Sequence, residues 1–408
     1  MSILSQYKQS QNTDFPNIRP SLDLRFALAK KLDPRITFTR GSTGTYFGSD
    51  GLMRTAGVNE PRFDHDPVTG QSLGLLIEES RTNLLTYSED FTNAVWGSAQ
   101  NRATRITQTG VDDPRGGFTA ATYKNGGRTN LELVYRLVSG TIGIPYTYSV
   151  WLRRRVGNGT IQLIVGDLVY QTVNVTNQWA RFSVTNTPTT TNVRAYISIN
   201  GIGDEVDVWG AQLETGAFPT SYIPTSASTV TRSADNASMT GTNFSSWYNS
   251  SEGTIYLETD KLYAGNFDAY RHFYGLDDGQ SSPTSSISPY TLPGLTFITN
   301  YGIVNGGRQV FDYQQFNIGS SPIRYKIGHS LNSKYSFFKT STASSTPQLP
   351  SKASPNGQNL SLPTNMTQLT IGCQNNSGTF GKHINSHIAR FTYYPIQITN
   401  QQLINLTS

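Results

Sequence analysis

Cysteine is all but missing from this chain, with one, Cys373, in 408 residues. A lone thiol excludes an internal disulfide and has no partner for a cysteine metal site. In Leu369-Thr370-Ile371-Gly372-Cys373 it reads as a small buried hydrophobe on a strand. Charge is also sparse. Charged residues are 14% of the chain, and 32 basic against 27 acidic side chains leave a net charge of +5, too mild a bias for a nucleic-acid footprint. No apolar run approaches the ~18 residues of a membrane span, and no signal peptide is recognisable at the start. The expectation is a protein without membrane insertion, made in a cytoplasm.

Histidine is scarce too, at five: His65, His272, His329, His383 and His387. Only the last two are close, at i, i+4, but in a strand-and-turn pattern and without the Glu that a zinc-protease helix requires. Gly116-Gly117 and Gly306-Gly307 lack the Lys and following helix of a phosphate loop. Stretches rich in Ala, Glu, Lys and Leu are nearly missing, which excludes a helical bundle.

What is present is Thr, Ser, Asn, Gly and Tyr, with 36% hydrophobic residues, a profile of ordered all-β structure divided into two or three domains. The polar residues Met1 to Arg19 read as a flexible arm. Phe26 to Lys31 suit one short helical turn, halted before Pro34. The runs Ile36–Arg40 and Thr43–Phe47, with Gly41, Gly44 and the turn Ser49-Asp50-Gly51, predict a hairpin-like element.

From about Asn93 a new unit opens. Thr119–Tyr123, Leu131–Arg136, Tyr146–Arg155, Ile161–Val165, Val169–Val175, Ala180–Val184, Val193–Ile199 and Val206–Leu213 are eight short apolar or alternating runs, and Gly, Asn and Pro separate nearly all of them. That spacing suits a two-sheet jelly roll. Trp151 and Trp209 alternate with strand neighbours and read as core, whereas Trp179 follows a turn and could serve as a sugar platform with Arg128, Asn130 and Tyr170. Arg153-Arg154-Arg155 reads first as a salt-bridged strand end and second as a contact for an anionic partner.

The acidic clusters Asp112-Asp113, Asp204-Glu205-Asp207 and Asp277-Asp278 adjoin Gly or Pro, so they read as solvated loop charges rather than the paired acids of a glycosidase. Calcium at Asp277 and Asp278 has suitable oxygen donors but no complete loop signature. No metal and no cofactor is assigned.

After the connector at about 225 to 243, Glu252–Thr259 reads as a strand whose partner arrives late, in Gly381–Tyr394. Thr399 and Gln402 have capping-box spacing for a last short helix. Between them the loop-rich span Tyr263–Tyr313 holds Tyr263, Tyr270, His272, Tyr274, Asp277, Asp278, Tyr290, Tyr301 and Arg308. Aromatics mixed with Asn, Asp and Ser resemble carbohydrate- or protein-binding surfaces. This span is the expected receptor-contacting face, with half of its tyrosines packing into the sandwich.

Three consecutive phrases carry a resemblance: FTRGSTGTYFGSDGL, NEPRFDHDPVTG and LLIEESRTNLLTYSEDF. Their wording and order resemble tail-fibre and other virion structural proteins of tailed bacteriophages. YTYSVWLRRR, QWARFSVT and VDVWGAQLETGAFPTSYIPT resemble carbohydrate-binding modules of the jelly-roll type. EGTI, LTIG and HIARFTYYPIQITNQQLINLT resemble the laminin-G or concanavalin-like sandwich. There the usual Asn-Gly turn gives way to Lys339-Thr340-Ser341-Thr342, which weakens any carry-over of binding residues.

The resemblance implies an N-terminal attachment region over 1–92, a jelly roll over 93–225, a connector over 226–242 and a second sandwich over 243–408. It also implies a homotrimeric, non-enzymatic tail fibre or adhesin on the virion. Such a protein would bind other virion proteins through its N-terminal region and host-surface carbohydrate elsewhere. The alternatives are a structural component of the particle and, third, a polysaccharide depolymerase.

Overall fold

A computed structural model describes residues 16–98, 106–126, 132–167, 169–260, 270–280, 285–291, 297–304, 307–315, 325–332, 336–340, 365–376 and 379–407. The chain is nearly all β, and its strands form sandwiches, as composition predicts. It divides into two compact units. One comprises Arg40–Gln71 and Ser80–Ala234, the other Met1–Thr39, Ser72–Glu79 and Asp235–Ser408. Compactness and chain order thus divide the molecule differently, since the backbone passes between the units after residues 39, 71, 79 and 234.

The first unit is built on β1 (Ala120–Lys124), β2 (Glu132–Ser139), β3 (Tyr146–Val156), β4 (Ile161–Gly166), β5 (Val169–Val173), β6 (Ala180–Asn186), β7 (Asn192–Ile199) and β8 (Glu205–Thr215). They correspond one for one to the eight runs read from the sequence. The front sheet runs β6-β3-β8-β1 with Ile106–Val111 at its edge, and the back sheet runs β5-β4-β7-β2 with Gly97–Ser98 at its edge. Strand order 6-3-8-1 over 5-4-7-2 is the pair of interlocked Greek keys of a jelly roll.

The inner faces close by simple alternation. Tyr146, Tyr148, Val150 and Leu152 of β3 meet Ile161, Leu163 and Val165 of β4 and Val193, Ala195, Ile197 and Ile199 of β7 in one buried cluster. Each large aliphatic side chain so buried contributes ~1.5–3 kcal/mol. One end of this core is filled by the segment after Arg81-Thr82-Asn83. Trp96 stacks on Phe91 with ring centroids 4.5 Å apart, and its indole N–H donates to the Tyr87 carbonyl at 2.9 Å.

Asn83 explains why that segment stays in place. Fully buried, it donates through Nδ2 to the carbonyls of Ala211 (3.1 Å) and Ile223 (2.9 Å), and its Oδ1 accepts from the N–H groups of Leu85 and Leu213, each at 3.1 Å. The phrase after Trp209 is fixed in the same way. Gln212 Oε1 accepts from Ile223 N–H at 2.7 Å, while Glu214 accepts from the N–H and hydroxyl of Thr220 at 2.9 and 2.7 Å. These two phrases are specific in wording because they satisfy each other's buried polar groups.

The N-terminal hairpin forms around Ser49-Asp50-Gly51, pairing Gly44–Phe47 with Met53–Ala56. Thr37–Thr39 does not join it and pairs instead with Asn236–Ser238, both being part of the second unit. The connector is likewise not free of structure, since Val230–Arg232 pairs with Arg81–Asn83.

In the second unit β9 (Glu252–Thr259) lies between β10 (Tyr325–Asn332) and β11 (Ser386–Tyr394), the late partner expected from the sequence. Ser336–Thr340 pairs on the far side of β10, and Leu22–Leu24 and Ser72–Ile77 both pair with β11. A second sheet carries Asn236–Thr240, Gln368–Ile371, Tyr274–Asp277, Ser285–Thr291, Phe297–Val304 and Gly307–Gln315 in that order. Tyr274 of this sheet meets Phe391 of β11 edge to face at 5.5 Å, inside the sandwich. The last helix, Asn400–Thr407, has the expected reciprocal cap: Gln402 N–H donates to Thr399 Oγ1 at 3.2 Å and Thr399 N–H to Gln402 Oε1 at 3.1 Å. Cys373 is fully buried, and burial pushes its thiol up to about 12. No described helix is long and apolar enough to cross a membrane.

Replacing Asn83 with Asp keeps its shape but turns two donors into acceptors facing the Ala211 and Ile223 carbonyls. Asn83→Asp is expected to lower the stability of the jelly-roll unit by at least ~3 kcal/mol, read as the shift of its urea transition. A change below ~1 kcal/mol would show that these four bonds are not what fixes the segment.

Candidate functional site

Among the described side chains of the loop-rich span, His272, Tyr274 and Asp277 are buried and do not contribute to a surface. Tyr263 lies outside the described residues, as do Arg128 and Asn130 of the jelly roll. Tyr274 is core, and His272 is buried beside Ser288, whose hydroxyl its Nδ1 meets. Burial, aided by Lys382, pushes the His272 imidazole down to about 3, so the ring is neutral at physiological pH. Tyr290, Tyr301 and Arg308 lie on strands, and Tyr290 opposes His272 in register. Tyr270 is 41% exposed, with Lys382 Nζ 5.5 Å from its ring centre. The span contributes neighbouring strands of one sheet, whose alternate residues lie on opposite faces, and burial of part of its aromatic residues was expected.

Four of the clustered acids are not solvated loop charges, whereas Asp112 is exposed as expected. Asp113, Asp204, Asp207 and Asp277 are buried and are held by donors. Asp113 accepts from Arg115, Gly117 and Thr119 N–H groups and organises its loop. Asp204 binds Arg154 and the Gly159 N–H, both at 2.8 Å. Asp277 accepts from Gln368 Nε2 and from Gly279 N–H at 2.8 Å, yet burial outweighs these bonds and raises its carboxyl to about 6. Asp278, half-buried, accepts from Gln280 N–H at 3.2 Å. Among the described residues no three His, Cys, Asp or Glu side chains converge on a metal position.

Two faces of the jelly roll remain. On the outer face of the front sheet Trp151, Trp209 and Tyr222 pack together with centroids 5.0 to 5.4 Å apart. Met53 of the hairpin joins this second small core. Both tryptophans are therefore buried, as their alternation predicts, but outside the sandwich. Gly210 makes their approach possible: its φ is 62°, and a Cβ there would sit 2.9 Å from the Trp151 ring.

The same face continues into the arginine run. Arg153 forks onto Asp112 with two bonds of 2.7 Å and reaches Asp207 at 2.8 Å, while Arg155 reaches the other Asp207 oxygen at 2.5 Å. Arg153 also lies over the Trp179 ring at 4.7 Å. All three arginines are ion-paired, so the salt-bridged reading of this run holds. One face of Trp179 is already covered, so the site sequence reasoning placed on this indole is half occupied.

The outer face of the back sheet is different. Register places Tyr170 of β5 opposite Ile164 of β4, Ile164 opposite Tyr196 of β7, Tyr196 opposite Tyr135 of β2, and Tyr135 opposite Gly97. One row thus crosses all five strands and holds three tyrosines. Tyr135 and Tyr196 are half-buried with centroids 5.1 Å apart, and Tyr170 is 52% exposed. Gly97 is required beneath Tyr135, because a Cβ there would lie 2.3 Å from the ring.

A parallel row carries Thr172, Gln162 and Ser198, in register on the same face. Asn200 ties it together, donating to Gln162 Oε1 at 3.2 Å and accepting from Ser198 Oγ at 2.5 Å. Of this surface sequence reasoning found only Tyr170.

No protein-family model matches the chain, and no curated protein matches it. Among solved structures the chain is similar to the carbohydrate-binding module CBM40 of a Ruminococcus gnavus IT-sialidase, at 11% identity over 41% of this chain and 88% of that one, with a TM-score of 0.34. It is also similar to a leech intramolecular trans-sialidase, at 12% identity over 39% of this chain and 23% of that one, TM-score 0.32. A CBM4 module matches at 15% over 35% and 97%, TM-score 0.23. The likeness is weak and bears on neither ligand nor activity.

Asp277 gives this region a pH signature. Its folded value near 6 exceeds the ~3.9 of an unfolded carboxyl. The neutral acid therefore favours folding below about pH 4, and that contribution is lost as pH rises through 6. Asp277→Asn is expected to match the parent below pH 4 and to be more stable by up to about 3 kcal/mol above pH 6, measured by urea melts across that range. His272 works oppositely, because its depressed value makes protonation below about 6.5 destabilising. The difference between variant and parent isolates Asp277.

Proposed function

We propose that the chain is a non-enzymatic virion protein of a tailed bacteriophage, a tail fibre or receptor-binding adhesin whose jelly roll holds host-surface glycan. The observation that carries glycan binding is the tyrosine row on the outer back sheet. Pyranose rings have an apolar face that an aromatic ring covers, while their hydroxyls meet amides and hydroxyls beside it. The phage assignment is supported by the three consecutive N-terminal phrases. A homotrimer follows from the same resemblance and would multiply weak contacts into avidity.

A turnover role is disfavoured by how the acids are used. Asp112, Asp204 and Asp207 are engaged by arginines, Glu205 by Lys124 at 3.1 Å, and Asp113 by backbone N–H groups. Glycoside hydrolysis needs two carboxyl groups facing one bond across a gap. A second reading is a structural part of the particle, in which these sandwiches bind other virion subunits.

Purified full-length chain is expected to compete with the phage for adsorption to host cells and to release no reducing ends from host polysaccharide. Localisation by cryo-electron microscopy is expected to place it on the tail. Absence of competition together with density on the capsid favours the structural reading, and reducing-end release overturns the non-enzymatic one.

A further inference from the structure

The outer back sheet offers more than three aromatic rings, because its rows have direction and chemistry. Strands in a sheet lie ~4.8 Å apart, so the row from Tyr170 through Ile164 and Tyr196 to Tyr135 advances by about one strand spacing per residue. That step is comparable to the length of one sugar unit in an extended chain. The tyrosines occupy the first, third and fourth places. Ile164, in the second place, is on the outer face by register but only 1% exposed, so the rings of Tyr170, Tyr196 and Tyr135 supply the accessible stacking area of the row.

The amide and hydroxyl row of Thr172, Gln162 and Ser198 runs beside it, two residues along each strand; Ser198 is fully buried and bonded to Asn200, so Thr172 and Gln162 are the accessible members. On the opposite flank lie Arg194 and Leu137, paired with each other. Arg194 is the one charged side chain in these three rows among the described residues, and its guanidinium points back to the Gly166 carbonyl at 3.4 Å.

A face made this way has stacking area along one line, neutral hydrogen-bonding groups along a parallel line and almost no charge. The front sheet is the contrast, since its open end is a dense lattice of arginine and aspartate whose charges already cancel.

We propose that this face binds an uncharged polysaccharide in extended form, lying across the strands with successive sugar units over the tyrosine row and their hydroxyls toward Gln162 and Thr172. It rests on the glycan-binding reading and narrows it to neutral chains several units long. Tyr170, the most exposed ring, sits at the open edge of the row. Removing it takes away one stacking partner without opening a core.

The test is isothermal titration calorimetry of the full chain with soluble neutral polymers (a β-glucan, a galactomannan), their trisaccharides, and alginate, at low and high salt. At least one neutral polymer is expected to bind with affinity insensitive to salt and well above that of its trisaccharide. Tyr170→Ala is expected to weaken binding ~10-fold with an unchanged thermal midpoint, and Tyr170→Phe to retain it.

The proposal is overturned if neither neutral polymer binds, if alginate alone binds and salt abolishes it, if the trisaccharide binds as tightly as the polymer, or if Tyr170→Ala binds like the parent. The two levels separate cleanly. Adsorption competition that survives Tyr170→Ala, with no neutral polymer bound, overturns this inference and leaves the adhesin. Tyr170-dependent polymer binding without adsorption competition does the reverse.

Discussion

Four hydrogen bonds made by one buried amide, Asn83, hold the jelly-roll unit in its arrangement. A β-sandwich needs its open ends closed, and closing them brings irregular backbone into places that water does not reach. Asn83 supplies two donors and two acceptor bonds to that backbone at the point where the N-terminal phrases, the last jelly-roll strand and the segment after it meet. Gln212 and Glu214 repeat the device a few residues on. Stability there comes from complete pairing more than from the net worth of each bond, because an unpaired buried group costs far more than a paired one contributes.

The same economy explains the front face. Asp207 is fully buried on a sheet surface that would otherwise be solvent-facing, and it survives there because Arg153, Arg155 and the Thr122 hydroxyl all point at it. Aromatic rings and paired ions cover the front sheet. The back sheet keeps its aromatic residues partly in water. A jelly roll thus ends up with one braced face and one face of open rings, and the difference is set by a handful of outward positions.

Much of the architecture was legible in the order of residues. Period-two runs found the eight jelly-roll strands, alternation identified Trp151 and Trp209 as core, and Thr399 with Gln402 marked the final helix, because each of these signals is local. Long-range pairing was not legible. Nothing near Tyr135 announces that Tyr196 will lie beside it, so the row could not be seen, and Tyr170 alone stood out. The acids misled for a related reason: Asp113, Asp204 and Asp207 look like turn charges until the arginines and backbone donors around them are known. His272, Tyr274 and Asp277 looked like a loop surface because the strands that carry them are short and polar.

The backbone's four passages between the two compact units have a practical meaning for anyone dividing this chain. Leu22–Leu24 and Ser72–Ile77 are strands of the second sandwich, although most of it is encoded beyond residue 235. A single cut near residue 234 therefore strips β11 of two neighbours and leaves those neighbours on the wrong fragment. Translation must therefore reach Ser386–Tyr394 before Leu22–Leu24 and Ser72–Ile77 can find their sheet partner.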